Sequence, residues 1–241
     1  MSDLYFSRSI IRGLGAVYCL RIPQEAPNGS GPRRLLGSYV DETGGGFLSG
    51  KSVPGVNHAW EPEYFLSLLP TLTGTAGKSY VQEASLAGFK QTVKIEKSAG
   101  ANLNGSFPGA PLSAGIQVDY KRLKTADIEF GPGSLKRYIP RGFIKAAYEE
   151  LAEDSDKYAT VVFDKDNMLV DQIILTSNLK VTVESQADFG ASFEAKAEAV
   201  NKLGGGIKYS RKSERHYEVS VSDGKEYLFA IGAIEANKFA E

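Results

Sequence analysis

Eight consecutive residues, Gly45-Gly46-Phe47-Leu48-Ser49-Gly50-Lys51-Ser52, satisfy the phosphate-loop formula G-x-x-x-x-G-K-[ST]. Such a loop works because a helix starting at its lysine aims backbone amides and a positive dipole end at phosphate. Pro54-Gly55 follows at once and no strand-helix-strand context surrounds the motif, so nucleotide chemistry is not expected there. What remains is a glycine-dense loop carrying Phe47 and Leu48 with Lys51 beside them. It reads either as an exposed apolar wedge or as a tip tucked into its own protein.

Other reactive residue types are sparse. Cys19 lies in an apolar strand pattern and reads as a buried thiol. One cysteine with His58 and His216 cannot assemble a zinc cluster, and no internal disulfide can form. Asp164, Asp166 and Asn167 start like a calcium loop, but the glycine and closing glutamate of that motif do not follow, so the stretch reads as a turn. Asn28-Gly29-Ser30 and Asn104-Gly105-Ser106 fit the glycosylation formula in a chain without a recognisable secretion signal. No serine, cysteine or carboxylate constellation points to catalysis, and the chain is read as a non-enzyme with no cofactor or metal.

The basic residues carry more. Arg8 and Arg12, Arg33 and Arg34, Lys51, and Lys136 and Arg137 with Arg141 could meet anionic lipid headgroups, each contact worth ~1 kcal/mol near a charged leaflet. A scattered solvated surface accounts for the same residues. The chain as a whole offers no bias, because Lys+Arg 28 against Asp+Glu 29 leaves a net charge of -1, and nucleic acid is not an expected partner. With 241 residues, 42% hydrophobic and 24% charged, it should fold as an ordinary globular chain. No stretch approaches the ~18 apolar residues of a membrane helix.

Several elements are legible. Residues 3–14 read as a short helix with Arg8 and Arg12 on one side, AVYCLRI as a strand closed by Pro23, RRLLGSYV as a second strand, and PEYFLSLL as a helical turn burying Phe65, Leu68 and Leu69. SLKRYIPRGFIKAAYEELA reads as a helix over 134–152 interrupted by Pro140, and YATVVF with QIILTSN as a strand pair.

The dominant signal is a two-residue rhythm. Leu179, Val181, Val183, Ala187, Phe189, Ala191, Phe193, Ala195, Ala197 and Ala199 alternate with mostly charged or polar residues for twenty-one positions. Three further runs behave alike: Phe89, Val93, Ile95, Ala99, Ala101 and Leu103; Leu112, Ala114, Ile116, Val118, Tyr120, Ala126, Ile128 and Phe130; and Ile207, Tyr209, Tyr217, Val219 and Val221. Each would be a ribbon with one greasy and one charged side. Such runs reach the ~9 to 11 residues of a membrane strand, whose backbone groups must all be paired in a closed barrel, so insertion implies oligomerisation. The same pattern also describes a soluble α+β protein in which one face of a large antiparallel sheet covers the core, serving binding or scaffolding without membrane activity. SFEAKAEAVNKL adds a second period, because Phe193, Ala197, Val200 and Leu203 also fall on one helical face.

The arrangement resembles the pore-forming domain of the gasdermins, in the compact bacterial and fungal form. The similar stretches are SRSIIRGLG, VYCLRIP, LSAGIQVDYKRLKTADIEF, KYATVVFDKDNMLVDQIILTSNLKVTV and EYLFAIGAIEA. The resemblance implies one α+β domain over 1–241, a twisted and mainly antiparallel sheet with surrounding helices and no separate C-terminal inhibitory domain. It implies a cytoplasmic protein that binds acidic lipids such as cardiolipin or phosphoinositides, assembles at the cell membrane and inserts two β-hairpins per subunit as a cell-death pore. By position, the first hairpin would be 89–130, with Phe89, Val93, Ile95, Leu103, Leu112, Ile116, Val118 and Tyr120 toward lipid. The second would be 179–221, with Val181, Val183, Phe189, Ala191, Phe193, Ile207, Tyr209, Tyr217 and Val219. Arg8 and Arg12 match a lipid-touching first helix, and Phe47 and Leu48 a membrane anchor. Two features depart from the bacterial pattern: no cysteine precedes Cys19 where an acylated one is usual, and only AIEANKFAE follows the last strand where an inhibitory tail would lie. The short tail fits either an already trimmed form or control that does not depend on protease cleavage, and the latter resembles the fungal regulators of allorecognition, triggered when two variant chains meet.

Overall fold

The computed structural model describes residues 6–11, 14–24, 31–43, 53–54, 62–72, 80–94, 123–158, 161–164, 167–186, 188, 194–195, 197–198, 201–202 and 206–235. Its strands are β1 (Phe6–Ile11), β2 (Gly15–Gln24), β3 (Tyr39–Thr43), β4 (Val53–Pro54), β5 (Gln82–Ser85), β6 (Lys90–Lys94), β7 (Leu123–Phe130), β8 (Leu135–Tyr138), β9 (Asn167–Thr176), β10 (Leu179–Ser185), β11 (Ile207–Ser213), β12 (His216–Val221) and β13 (Tyr227–Glu235). The helices are α1 (Tyr64–Leu72), α2 (Arg141–Leu151) and α3 (Ser155–Tyr158).

Every pairing among these strands is antiparallel, in two sheets. The larger runs β1-β2-β13-β9-β3-β4, with β8 also on β9 and β5 on β8. β9 serves two neighbours in succession: β3 pairs with Asn167 to Leu169, β8 with Gln172 to Leu175. The smaller sheet has the order β11-β12-β10-β7-β6. The architecture is therefore α+β, mainly antiparallel, with few helices.

Burial explains the layering. The first half of β13 is apolar on both faces, as is β9 apart from Asn167, Asp171, Gln172 and Thr176, and both strands are largely buried between two cores. On one side Leu169, Val170, Ile173, Leu228 and Ile231 meet α1 and α2 through Phe65, Leu69, Ile144, Ala147, Tyr148 and Leu151. The helix-spaced set on α2, every third or fourth residue, is the stripe that an amphipathic helix presents to a sheet. On the other side Ile174, Phe229 and Ala230 meet the smaller sheet. A bulge between Leu228 and Ala230 gives Phe229 no partner in the register, so Phe229 and Ala230 both serve the second core. Gly37, at φ 78, lies where a Cβ would come within 2.7 Å of Leu66 Cγ, so glycine lets α1 approach the turn before β3.

Five expectations from the sequence are corrected. Residues 6–11 are a strand, because β2 offers a six-residue ladder from Phe6↔Leu20 to Ile11↔Gly15, whereas a helix this short is marginal alone. Within 33–40, Pro32–Leu35 forms a 3-10 turn and the strand begins only at Tyr39. Pro140 does not interrupt a helix: it caps α2, and the residues before it form β8. Residues 161–163 are a turn, with the amides of Val161, Val162 and Phe163 all donating to the Tyr158 carbonyl. The run 207–221 is two strands, β11 and β12, folded back at Glu214 and Arg215. The helical turn expected at PEYFLSLL is α1, with Phe65 and Leu69 fully buried as expected but Leu68 only half-buried.

The two sheets are keyed together by Phe130, whose ring lies 5.1 Å edge-on from Phe229 and 6.0 Å from Phe89. Phe130→Ala is expected to cost about 3–5 kcal/mol in urea unfolding, the range for emptying a buried aromatic site; a loss below ~1 kcal/mol would show that the sheets are held elsewhere.

Candidate functional site

The smaller sheet turns the sequence rhythm into two chemically opposite faces. Its inward rows are Phe130-Leu179-Val221, Ile128-Val181-Val219 and Ala126-Val183-Tyr217, and Tyr209 pairs with Val219 one strand further out. All of these side chains are buried. The intervening rows face outward: Lys90-Glu129-Lys180-Ser220, then Thr92-Asp127-Thr182-Glu218.

The outward face is stitched by opposite charges across strands. Lys90 Nζ lies 2.8 Å from Glu129, and Thr92 Oγ1 donates to Asp127 at 2.6 Å. Lys124 Nζ and Thr125 Oγ1 both donate to Glu184, at 3.0 and 3.1 Å. Glu218, only 9% exposed, sits between Lys180 and Lys212, each at 3.1 Å. The Lys90 bond holds Glu129 below the usual carboxylate range, and Lys124 with Thr125 does the same for Glu184. A face of alternating sign would hold water in any setting where it is left exposed.

The expected basic set is brought together in part. Arg33 grips Glu226 with a two-point contact at 2.8 to 3.1 Å and reaches Glu83 at 3.7 Å. Arg137 Nε lies 2.7 Å from the same Glu83, so Arg33 and Arg137 share one carboxylate. Its bond to Glu226 raises the Arg33 pKa further. Arg34 reaches Glu63 at 3.7 Å. Lys136 is held over the Tyr138 ring at 5.0 Å, and burial lowers its pKa against the pull of Asp171. Nothing local in the sequence marks the three acids; Glu226 stands 193 residues from Arg33.

Other expected residues are placed only in part. Arg8 lies in β1 opposite Tyr18 rather than on a helix, Val93 in β6 opposite Ala126, and Ile207 in β11 opposite Val221, their side chains outside the described residues. Arg12, Phe47, Leu48, Lys51, Ile95, Leu103, Leu112, Ile116, Val118, Tyr120, Phe189, Ala191 and Phe193 lie outside the described residues. Phe89 is half-buried against Phe130. A two-residue strand, β4, follows the phosphate-loop-like segment at Val53 where a nucleotide site would need a helix. Asn167 closes a turn onto the Asp164 and Val161 carbonyls, and the described residues hold no metal-binding group of carboxylates, His or Cys.

The expectation of one extended ribbon over 179–199 is also corrected. β10 ends at Ser185, and Glu194, Ala195, Ala197, Glu198, Asn201 and Lys202 are helical. The second period of this stretch prevails there, with good helix formers and a Glu198–Lys202 pair at 2.8 Å on one helix face.

No family model and no curated protein matches the sequence. The structure is similar to that of a bacterial gasdermin from Bradyrhizobium tropiciagri, with a TM-score of 0.38 and 11% identity, over 88% of this chain and 79% of that one.

Asp171, beside Lys136, gives the site a pH signature. Burial lifts its carboxyl to about 6, with Arg141 and Lys136 pulling the other way. An ordinary aspartate titrates near ~3.9, so the folded chain takes up this proton first. The resulting penalty is complete above pH 6 and fades as pH falls toward ~4. Asp171→Asn is therefore expected to melt higher than the parent chain at pH 7.5, with the gap closing by about pH 4. A gap that is constant with pH would rule out this titration.

Proposed function

We propose that the chain is a gasdermin-like pore-forming protein of cell death, without enzymatic activity. In this reading it binds acidic lipids such as cardiolipin or phosphoinositides and gathers with copies of itself or a related variant chain. It then permeabilises the membrane with two hairpins per subunit, passing from a cytoplasmic form to one assembled at the cell membrane.

One observation carries the reading. Phe89, Phe130, Leu179 and Val221, the four ends of the two alternating stretches, lie in a single row across the smaller sheet: the Phe130 amide donates to the Phe89 carbonyl at 3.0 Å, and Leu179 pairs with both Phe130 and Val221. Residues 95–122 connect the neighbouring strands β6 and β7, whereas residues 186–206 connect β10 to β11, which lies on the far side of β12; in both cases the parity of the flanking strands matches the apolar and charged alternation of the connecting sequence. An extension of these strands in register would lengthen both faces, one toward lipid and one toward a water-filled lumen. The basic residues Arg8, Arg12, Arg33, Arg34, Lys51, Lys136 and Arg137 would supply headgroup contacts, with Phe47 and Leu48 as the apolar anchor.

Dye-loaded phosphatidylcholine vesicles containing cardiolipin are expected to leak on addition of the protein, and vesicles of phosphatidylcholine alone to stay sealed. Ala191→Lys places a charge on the lipid side of the second stretch, at ~2 to 4 kcal/mol near mid-bilayer, and is expected to abolish leakage. Undiminished leakage by this variant would remove 179–221 from the membrane. Sealed vesicles under every lipid condition would favour a sheet protein that binds or scaffolds in water.

A further inference from the structure

β11 is an outer strand of the smaller sheet. An open edge of this kind exposes backbone groups that would otherwise pair with another strand. At Tyr209 they are occupied. The Tyr209 amide donates to Asn201 Oδ1 at 2.8 Å, and Asn201 Nδ2 donates to the Tyr209 carbonyl at 2.7 Å. One side-chain amide thus reproduces the two bonds that a facing residue exchanges in an antiparallel ladder. The same helical stretch is tied down twice more: Glu194 is ion-paired with Arg211 of β11, and Ala197 is buried in the core beneath the sheet with Tyr209.

Asparagine is a poor helix former, so the local sequence does not favour it at 201 for helix stability. Its neighbours serve either form: Ala195, Ala197 and Ala199 continue the parity of Val181 and Val183, while Phe193, Ala197 and Val200 fall on one helical face. When two forms of a segment are closely matched, a small local contact decides between them.

We propose that Asn201 is the catch of a strap. It holds the helical residues Glu194, Ala195, Ala197, Glu198, Asn201 and Lys202 against the outer edge of β11 and delays conversion of this stretch into an extended continuation of the sheet; this timing role rests on the pore-forming reading. Glu194–Arg211 is the secondary tether. The strap leaves β11 unavailable for strand pairing until the catch opens.

The test uses the full chain with Asn201→Ala and Asn201→Asp, the latter keeping the acceptor but losing the donor. In solution without vesicles, hydrogen exchange at the Tyr209 amide is expected to quicken roughly 10-fold in Asn201→Ala, equivalent to about 1.4 kcal/mol, and by less in Asn201→Asp, whose carboxylate still accepts from that amide, while Val181 and Ile128 amides keep their rates. Equal acceleration at all three sites would show general destabilisation and overturn the proposal, as would an unchanged rate at Tyr209. With cardiolipin-containing phosphatidylcholine vesicles, both variants are expected to shorten the half-time of dye release several-fold at equal final extent. Unchanged half-times beside normal leakage would overturn the timing role and leave the pore reading standing. Vesicles that stay sealed with parent and variants alike would overturn the pore reading and the timing role together, whereas faster exchange at Tyr209 would still establish the hold on the edge.

Discussion

The inner face of the smaller sheet is stable in water only while β9 and β13 cover it. Leu179, Val181, Val183, Ile128, Val219 and Tyr217 form a continuous apolar surface, and Ile174, Phe229 and Ala230 fill the space against it. At about 25 cal/mol per Å² of apolar area removed from water, this contact is what makes a two-faced ribbon compatible with a folded chain. The other structural features follow from it. β13 must be apolar on both sides, α1 and α2 must seal its far face, and the charges of the ribbon must all lie outward, where they pair across strands.

Much of this arrangement was legible in the residues, and the exceptions have physical causes. The odd-numbered rhythm of 179–185 survives intact because β10 is central, flanked by β7 and β12, and one slip would turn every valine into water. The buried pair Phe65 and Leu69 was readable because a helix displays its own period. β1 was misread because six residues of mixed character take whatever form their partner imposes, and the partner, β2, begins only four residues later. Pro140 was read as a flaw inside a helix when it is a boundary. Beyond Ser185 the residues satisfy two periods, and no count of matches can choose between them; the choice is made by contacts with β11.

The candidate site shows a similar division. Basic residues were easy to find, but their electrostatic surroundings were not, because Glu63, Glu83 and Glu226 reach Arg34, Arg33 and Arg137 through the fold rather than through proximity in the chain. In the described state these arginines are not a bare cationic patch. An anionic surface would have to compete with carboxylates already in place, and such exposed pairs are typically worth less than ~1 kcal/mol each. The competition is therefore open to modest changes in surface charge and ionic strength.

β9 gives one edge to two partners in turn, β3 up to Leu169 and β8 from Gln172. The two ladders share a backbone but no hydrogen bond. A tear that begins at β5 and strips β8 away therefore has no reason to run on past this fork, and the half of the molecule that carries β3 and β4 can remain stitched while the other half is pulled apart. Peeling β8 from β9 at this branch point would break none of the ladder hydrogen bonds that hold β3.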